Sequence, residues 1–469
     1  MRTKNIIRIF GASILLWSAS CDKFLEVEPL EYVSDQATIV DATSAKTAVS
    51  GIYSQLRSND YYGYEFPLLG LYSADNVAYV GSQIIRQQLS THTVRADFAQ
   101  LETVWNAIYN TINRANHVID KVPGLPITAD FTQEERDGLV GEAYFIRALA
   151  YFDLARTWGG VQLILKPTAS ANSLPDVKRS SLQDTYAQVL EDLNKAETLL
   201  PETTNRIRAT RKTVWALKAR YHLYQKEWDE AIDYATRIID DAANYELVKP
   251  YNSFFANNIS GTKETVLELY YDINTTSSQA GQWRPATEGG VAWTRPTHSS
   301  LASPNNRWNV VALLTDPDIG GDRSVLIDTE TIQGVHHWYG TLYYRADRTD
   351  PAFLIRTAEL YLIRAEALVE RDQAGDVADA LVDLNAIRDR ANVPLLDIND
   401  VSTKADLLLA IENENRVEFA FENHRWYDLV RTGRAGAVLG ITNANRFLLP
   451  IPYNQVLNDP NLEPNPGLD

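Results

Sequence analysis

Apolar side chains recur at three- and four-residue steps through most of this chain, and that period fits the amphipathic helix. Between Leu101 and Val122 it is carried by Trp105, Ile108, Tyr109, Ile112, Ala115, Asn116 and Ile119. Thr132 to Trp158 repeats it and stops at Gly159-Gly160, a suitable helix end. The same period runs from Asp41 through Ala48, Ile52, Tyr53 and Leu56, over Ser180–Leu200 before Pro201, and again over Thr357–Arg371, Asp376–Ala391 and Thr403–Phe421. Lys212–Asp241 predicts a helical hairpin. Ala219 and Ala231 flank its turn at Lys226-Glu227-Trp228, and small residues there let two helices approach closely, as in tetratricopeptide repeats. The spacing is irregular elsewhere. The expectation is therefore a mostly-α domain over residues 36–469, an α-superhelix of degenerate tetratricopeptide-like helical hairpins.

One stretch breaks the pattern. Between Tyr245 and Asp350 the helical period fades, turn formers dominate, and Gly289-Gly290 and Gly320-Gly321 divide it into loops. A long loop-rich insertion in a helical domain is more often functional than structural. It holds Trp283, Trp293, Trp308 and Trp338, four of the ten tryptophans. A second aromatic cluster lies earlier, at Tyr61, Tyr62, Tyr64, Phe66, Tyr72 and Tyr79. Loop aromatics can stack on sugar rings, whose axial C–H groups present an apolar face. Most of these rings taken singly belong to a core, so the functional expectation attaches to the set: two or three should share one exposed surface. Arg284 beside Trp283, and Asn76 or Gln83 near Tyr79, are placed to hydrogen-bond ring hydroxyls.

The N-terminus reads as an export signal: Arg2, Lys4 and Arg8, an apolar run from Ile9 to Trp17, then Ser18-Ala19-Ser20. Cys21, the only cysteine of 469 residues, follows directly and is the expected acceptor of a thioether-linked lipid, with residues 21–35 as its tether. The apolar run is shorter than the ~20 residues a membrane span needs. Removing residues 1–20 takes three positive charges from a chain whose formal charge is already −17. Such acidity argues against nucleic-acid partners and against electrostatic docking on anionic lipid.

Catalytic chemistry finds little support. The sequence has no Gly-rich phosphate loop, nucleophile elbow or cysteine nucleophile, and His336-His337 lacks metal-ligand spacing to other donors. Glu142, Glu359 and Glu366 read as structural partners of Arg147, Arg356 and Arg364. No cofactor is expected. The acidic loop Asp316-Pro317-Asp318 to Asp322 leaves room for a structural calcium ion, although its spacing is not that of a helix–loop–helix site.

Several blocks resemble one family, the SusD/RagB-type lipoproteins of the Bacteroidetes. They are Trp105-Asn-Ala-Ile-Tyr109 with Ala115-Asn116, then Gly141-Glu-Ala-Tyr-Phe-Ile-Arg-Ala-Leu-Ala-Tyr-Phe-Asp-Leu154 with Trp158-Gly159, and Arg208-Ala-Thr210 leading to Trp215-Ala-Leu217. Later come Ile355-Arg356 through Ala367, Leu384-Asn385 through Ala391, Glu414-x-Arg416-Val-Glu418, and His424-Arg-Trp-Tyr-Asp-Leu429 with Arg431-Thr-Gly433. Leu449-Pro-Ile-Pro452 and Asn465-Pro-Gly467 resemble the family ending, from which Asp459, Pro464 and Leu468 depart. The resemblance implies a surface lipoprotein of the outer membrane, held by its lipid. It would capture an oligosaccharide and pass it to a SusC-like TonB-dependent transporter without breaking a bond. Peptide or another non-glycan nutrient is the alternative cargo. In the family the matched helices are scaffold and the variable loops carry the ligand contacts.

Overall fold

The computed structural model describes residues 39–168, 176–299, 301, 309–332 and 334–468. Cys21, the export signal and Trp308 lie outside them. The chain divides into Met1–Val40 and Asp41–Asp469, and the fold below is that of the second unit.

Helix α1 (Ala42–Leu56) opens on a reciprocal cap: Ser44 N donates to Asp41 Oδ1 at 2.8 Å and Asp41 N donates to Ser44 Oγ at 3.0 Å. After α2 (Glu65–Ser73), β1 (Val77–Tyr79) and α3 (Ile84–Ser90) come the two longest helices, α4 (Ala99–Lys121) and α5 (Gln133–Trp158). Helix α5 is buried around most of its circumference, so a simple apolar stripe would have understated it. Thr132 caps its start by accepting from Glu135 N, and Gly159 ends it at φ 85°, ψ −143°, a conformation only glycine adopts without strain. Helices α6 (Leu182–Leu199), α7 (Arg211–Gln225) and α8 (Trp228–Ile239) follow. Ala219 and Ala231 are fully buried where α7 meets α8, and Lys226 turns the chain at φ 59°.

The predicted insertion hangs from a buried ribbon. Strand β2 (Thr265–Leu269) pairs antiparallel with β6 (Ala352–Arg356), which runs straight into α11 (Thr357–Arg371). Between them lie α9 (Gln279–Trp283), β3 (Thr294–Pro296), α10 (Val310–Thr315) and the hairpin β4 (Ile327–Ile332) and β5 (Val335–Gly340). Strand β3 pairs back to β1, tying the insertion to the first half of the domain. Helices α12 (Asp376–Arg390), α13 (Lys404–Glu418), α14 (Arg425–Arg431), α15 (Ala435–Leu439) and α16 (Tyr453–Asn458) complete the unit. Neighbouring helices pack in chain order from α4 to α8, then α8 on α11 and α11 on α12, which is the expected superhelix of hairpins.

Two expectations need correction. The early aromatic cluster is core, not a loop surface: Tyr61, Tyr62, Tyr64, Phe66, Tyr72 and Tyr79 are all buried, and the Tyr61 and Tyr62 hydroxyls both donate to Asp153 Oδ2, at 2.6 and 2.7 Å. The Arg–Glu partners are also different. Arg147 holds Asp192 (2.7 Å), Glu142 holds Arg208 (2.6 Å) and Glu359 holds Arg220 (2.6 Å). Glu366 holds Arg431 and Arg364 holds Asp383, each at 2.7 Å. Helix geometry explains the difference: residues five apart, like Glu142 and Arg147, or two apart, like Arg364 and Glu366, project about 140–160° away from each other. Arg356 ends a strand rather than sharing a helix face with Glu359.

Candidate ligand-binding face

Trp293 immediately precedes β3 and is 36% exposed, with its ring edge-on to Tyr79 at 6.3 Å between centroids. Its backbone carbonyl accepts from Val80 N at 2.8 Å, which continues the β1–β3 pairing and fixes the indole's base. Tyr79 itself is only 8% exposed and leans on Tyr72 at 5.5 Å. It is the support beneath Trp293 rather than a second exposed platform.

Asn76 and Trp283, both expected at a ligand face, are 1% exposed. Asn76 Nδ2 donates to the carbonyls of Arg416 (2.9 Å) and Ala420 (3.3 Å), and its Oδ1 accepts from Arg416 Nε at 2.9 Å. That amide is consumed in joining β1 to the end of α13. Trp283 packs against Phe421, centroids 4.9 Å apart with the rings tilted by 50°, and fills the space under β5, where a Cβ on Gly340 would lie 2.5 Å from its ring. Its role is to hold the β4–β5 hairpin in place. Arg284, the next residue, is mostly buried, spans to Glu288 at 3.7 Å and covers the Tyr344 ring at 5.5 Å.

The hairpin supplies what the sequence reading passed over. Its ladder runs in register from Ile327↔Gly340 to Ile332↔Val335, so Glu330 stands directly across from His337. Alternation puts His337 and Tyr339 on one face and the half-buried Trp338 on the other, away from His337. On the His337 face, Arg295 Nη1 of β3 donates to His337 Nδ1 at 2.8 Å, and Thr287 donates to Glu330 Oε2 at 3.0 Å. Tyr339 stacks on Tyr344 at 5.5 Å with 8° between planes. Arg295, His337 and Glu330 thus lie together on one face of the hairpin, Tyr344 and the mostly buried Arg284 adjoin it through Tyr339, and Trp293 immediately precedes the strand that carries Arg295. Arg295 and Glu330 were missed. The alternation Trp293-x-Arg295 and the Ile/Thr alternation of β4 before Gly334 were the available signals.

Burial holds the Arg295 guanidinium below its ordinary pKa, with Glu330 opposing that shift. Burial also lowers His298, and the nearby Arg295 and His337 add to that effect. A separate concavity of about 250 Å³ lies on the helical side, among Glu366, Leu408, Glu412, Arg425 and Arg431. Its charges are matched internally, Arg431 with Glu366 and Arg425 and Arg434 with Glu412. Among the described residues no three Asp, Glu or His side chains converge as a metal site requires, and no helix is long and apolar enough to cross a membrane.

A helical-repeat scaffold presenting a loop-borne aromatic and polar face defines a class of binding protein, and the chain belongs to the SusD/RagB-like family within it. A family model described as starch-binding and associating with the outer membrane matches residues 23–223, and the SusD family model matches residues 332–440. SusD-like protein P38 of Formosa agariphila is 27% identical, with 95% of each chain covered. A SusD superfamily protein from Bacteroides vulgatus has the same fold, with a TM-score of 0.79 at 22% identity over 91% of this chain and 99% of that one. A laminarin-binding SusD-like protein superposes with a TM-score of 0.76 at 21% identity, over 92% and 100% of the two chains.

Proposed function

We propose that this protein is a cell-surface lipoprotein that binds oligosaccharide through the Trp293 face and hands it to a SusC-like TonB-dependent transporter. The observation that carries the reading is Trp293: an exposed indole on a fixed backbone, braced from below by Tyr79, with Arg295, His337 and Glu330 beside it. A ring stacked on the indole gains contact with little loss of side-chain entropy, and flanking donors and acceptors orient its hydroxyls. Family membership and the glycan ligand named for the laminarin-binding relative support the same reading. The function proposed is capture without bond cleavage. Cys21, behind its export signal, is the proposed anchor in the outer membrane, acting through acyl chains alone. Calorimetric titration of the full domain with a panel of oligosaccharides and peptides tests the proposal. Saturable binding of an oligosaccharide supports it, whereas binding of peptides alone overturns it in favour of a non-glycan cargo.

A further inference from the structure

Arg295 is a half-buried cation that meets the charge of Glu330 only from beyond ion-pair distance, and Glu330 is bonded to Thr287 instead. Its Nε donates to the Ala292 carbonyl at 3.0 Å and its Nη1 to His337 Nδ1 at 2.8 Å, both neutral acceptors. No carboxylate among the described residues lies within ion-pair distance of it, and Nη2 stays open to solvent without a hydrogen bond to them. Other arginines lacking a carboxylate use their outer nitrogens on backbone: Arg57 on the Tyr270 carbonyl, Arg446 on that of Val94. Arg295 spends its inner nitrogen on backbone and its outer Nη1 on His337, and it stands two residues after Trp293 in the chain.

The hydrogen bond also fixes its neighbour. A guanidinium only donates, so His337 Nδ1 must accept and the imidazole carries its proton on Nε2. Two N–H donors, one of them cationic, therefore stand together where β3 meets β5, and the exposed Trp293 immediately precedes β3. Glu330, across the ladder from His337 and bonded to Thr287, adds one acceptor at the edge. An acidic sugar residue matches this set: an oxyanion for Arg295 and His337, hydroxyls for Glu330, and a C–H face for Trp293.

We propose that Arg295, with His337, is an oxyanion receptor that makes this face selective for acidic oligosaccharides, those bearing carboxylate or sulfate groups. The proposal rests on the glycan reading above and adds the chemical class of the ligand. The chain's formal charge of −17 repels an anion at long range, so the selectivity must arise from short-range contacts at Arg295.

The test pairs each acidic probe with its neutral counterpart. Oligogalacturonate and oligoalginate are titrated beside their carboxyl-reduced forms, and sulfated oligosaccharides beside desulfated ones, so the two arms tell carboxylate from sulfate. The expected result is that one acidic probe binds at least about tenfold more tightly than its neutral form, the scale of one charge-assisted hydrogen bond. Arg295→Gln should erase the difference and Arg295→Lys, which keeps the charge but not the fork, should retain part of it. Neutral probes binding as well as acidic ones, or a preference that survives Arg295→Gln, would overturn the oxyanion receptor and leave glycan binding standing. Absence of binding to every oligosaccharide, charged or neutral, would overturn the glycan reading itself. The comparison of paired probes on the unmodified protein needs no variant to fold.

Discussion

Arg356 Nη1 donates to Glu418 Oε1 at 2.9 Å with both side chains fully buried, and this pair joins β6 to the end of α13. Around it, Arg356 also reaches Glu264 (2.8 Å) and Glu422 (2.7 Å), while Arg323 and Arg390 approach Glu418 from other segments. The guanidinium is sandwiched by Phe254 and Phe419. The ribbon that carries the insertion is therefore rooted in a buried ionic cluster. Removing one member leaves the rest buried without compensation. Arg356→Met is expected to destabilise the domain by about 3–5 kcal/mol in urea unfolding, and a loss below about 1 kcal/mol would show that the cluster relaxes freely.

Acid should act through the same cluster. Burial opposes the charge of Glu418, but Arg390, Arg356 and Arg323 overcome it and hold its pKa at about 2. A carboxyl depressed in the folded state favours folding above its unfolded pKa, and that contribution is lost as pH falls toward the folded one. The window is thus about pH 4.5 down to about 2. Glu422 shifts the opposite way, raised by burial against the pull of Arg356, and offsets part of the loss. The stability gap between wild type and Glu418→Gln should narrow between pH 4.5 and 2.5. A gap constant with pH would mean that Glu418 is not held ionised.

Gly340→Ala tests the support of the hairpin. The added methyl meets the Trp283 ring at 2.5 Å, so the ring or β5 must move. Overpacking of this kind costs about 1–3 kcal/mol. Because β5 carries His337, ligand affinity should fall together with melting temperature. Unchanged stability and affinity would show that Trp283 does not brace the strand.

Most helices were legible because their signals are local: the period itself, Thr132 and Gly159 at the ends of α5, and Ala219 facing Ala231 in the α7–α8 hairpin. Partners far apart in sequence were not. Arg147 finds Asp192 and Arg356 finds Glu264 only after distant elements are packed, and no spacing rule anticipates that. Trp283 and Trp293 read alike as loop tryptophans, yet one became a wedge under a strand and the other an exposed ring. What separated them was the β1–β3 pairing, a long-range contact encoded in two three-residue strands.

The anchor makes its own prediction. Cys21→Ala should release the protein from whole cells into the medium or soluble fraction, as read by immunoblot of cell and supernatant fractions. Retention of the variant with the outer membrane at the wild-type level would rule out lipid at Cys21 as the tether.

The central claim is that an oligosaccharide stacks on Trp293. Its most direct measurement is calorimetric titration of wild type and Trp293→Ala with the best-binding oligosaccharide of the panel. Stacking on one exposed ring is worth about 1–2 kcal/mol, so affinity should fall roughly five- to thirtyfold while the melting temperature stays close to wild type. Undiminished affinity in a folded Trp293→Ala protein would contradict the account and place the ligand elsewhere.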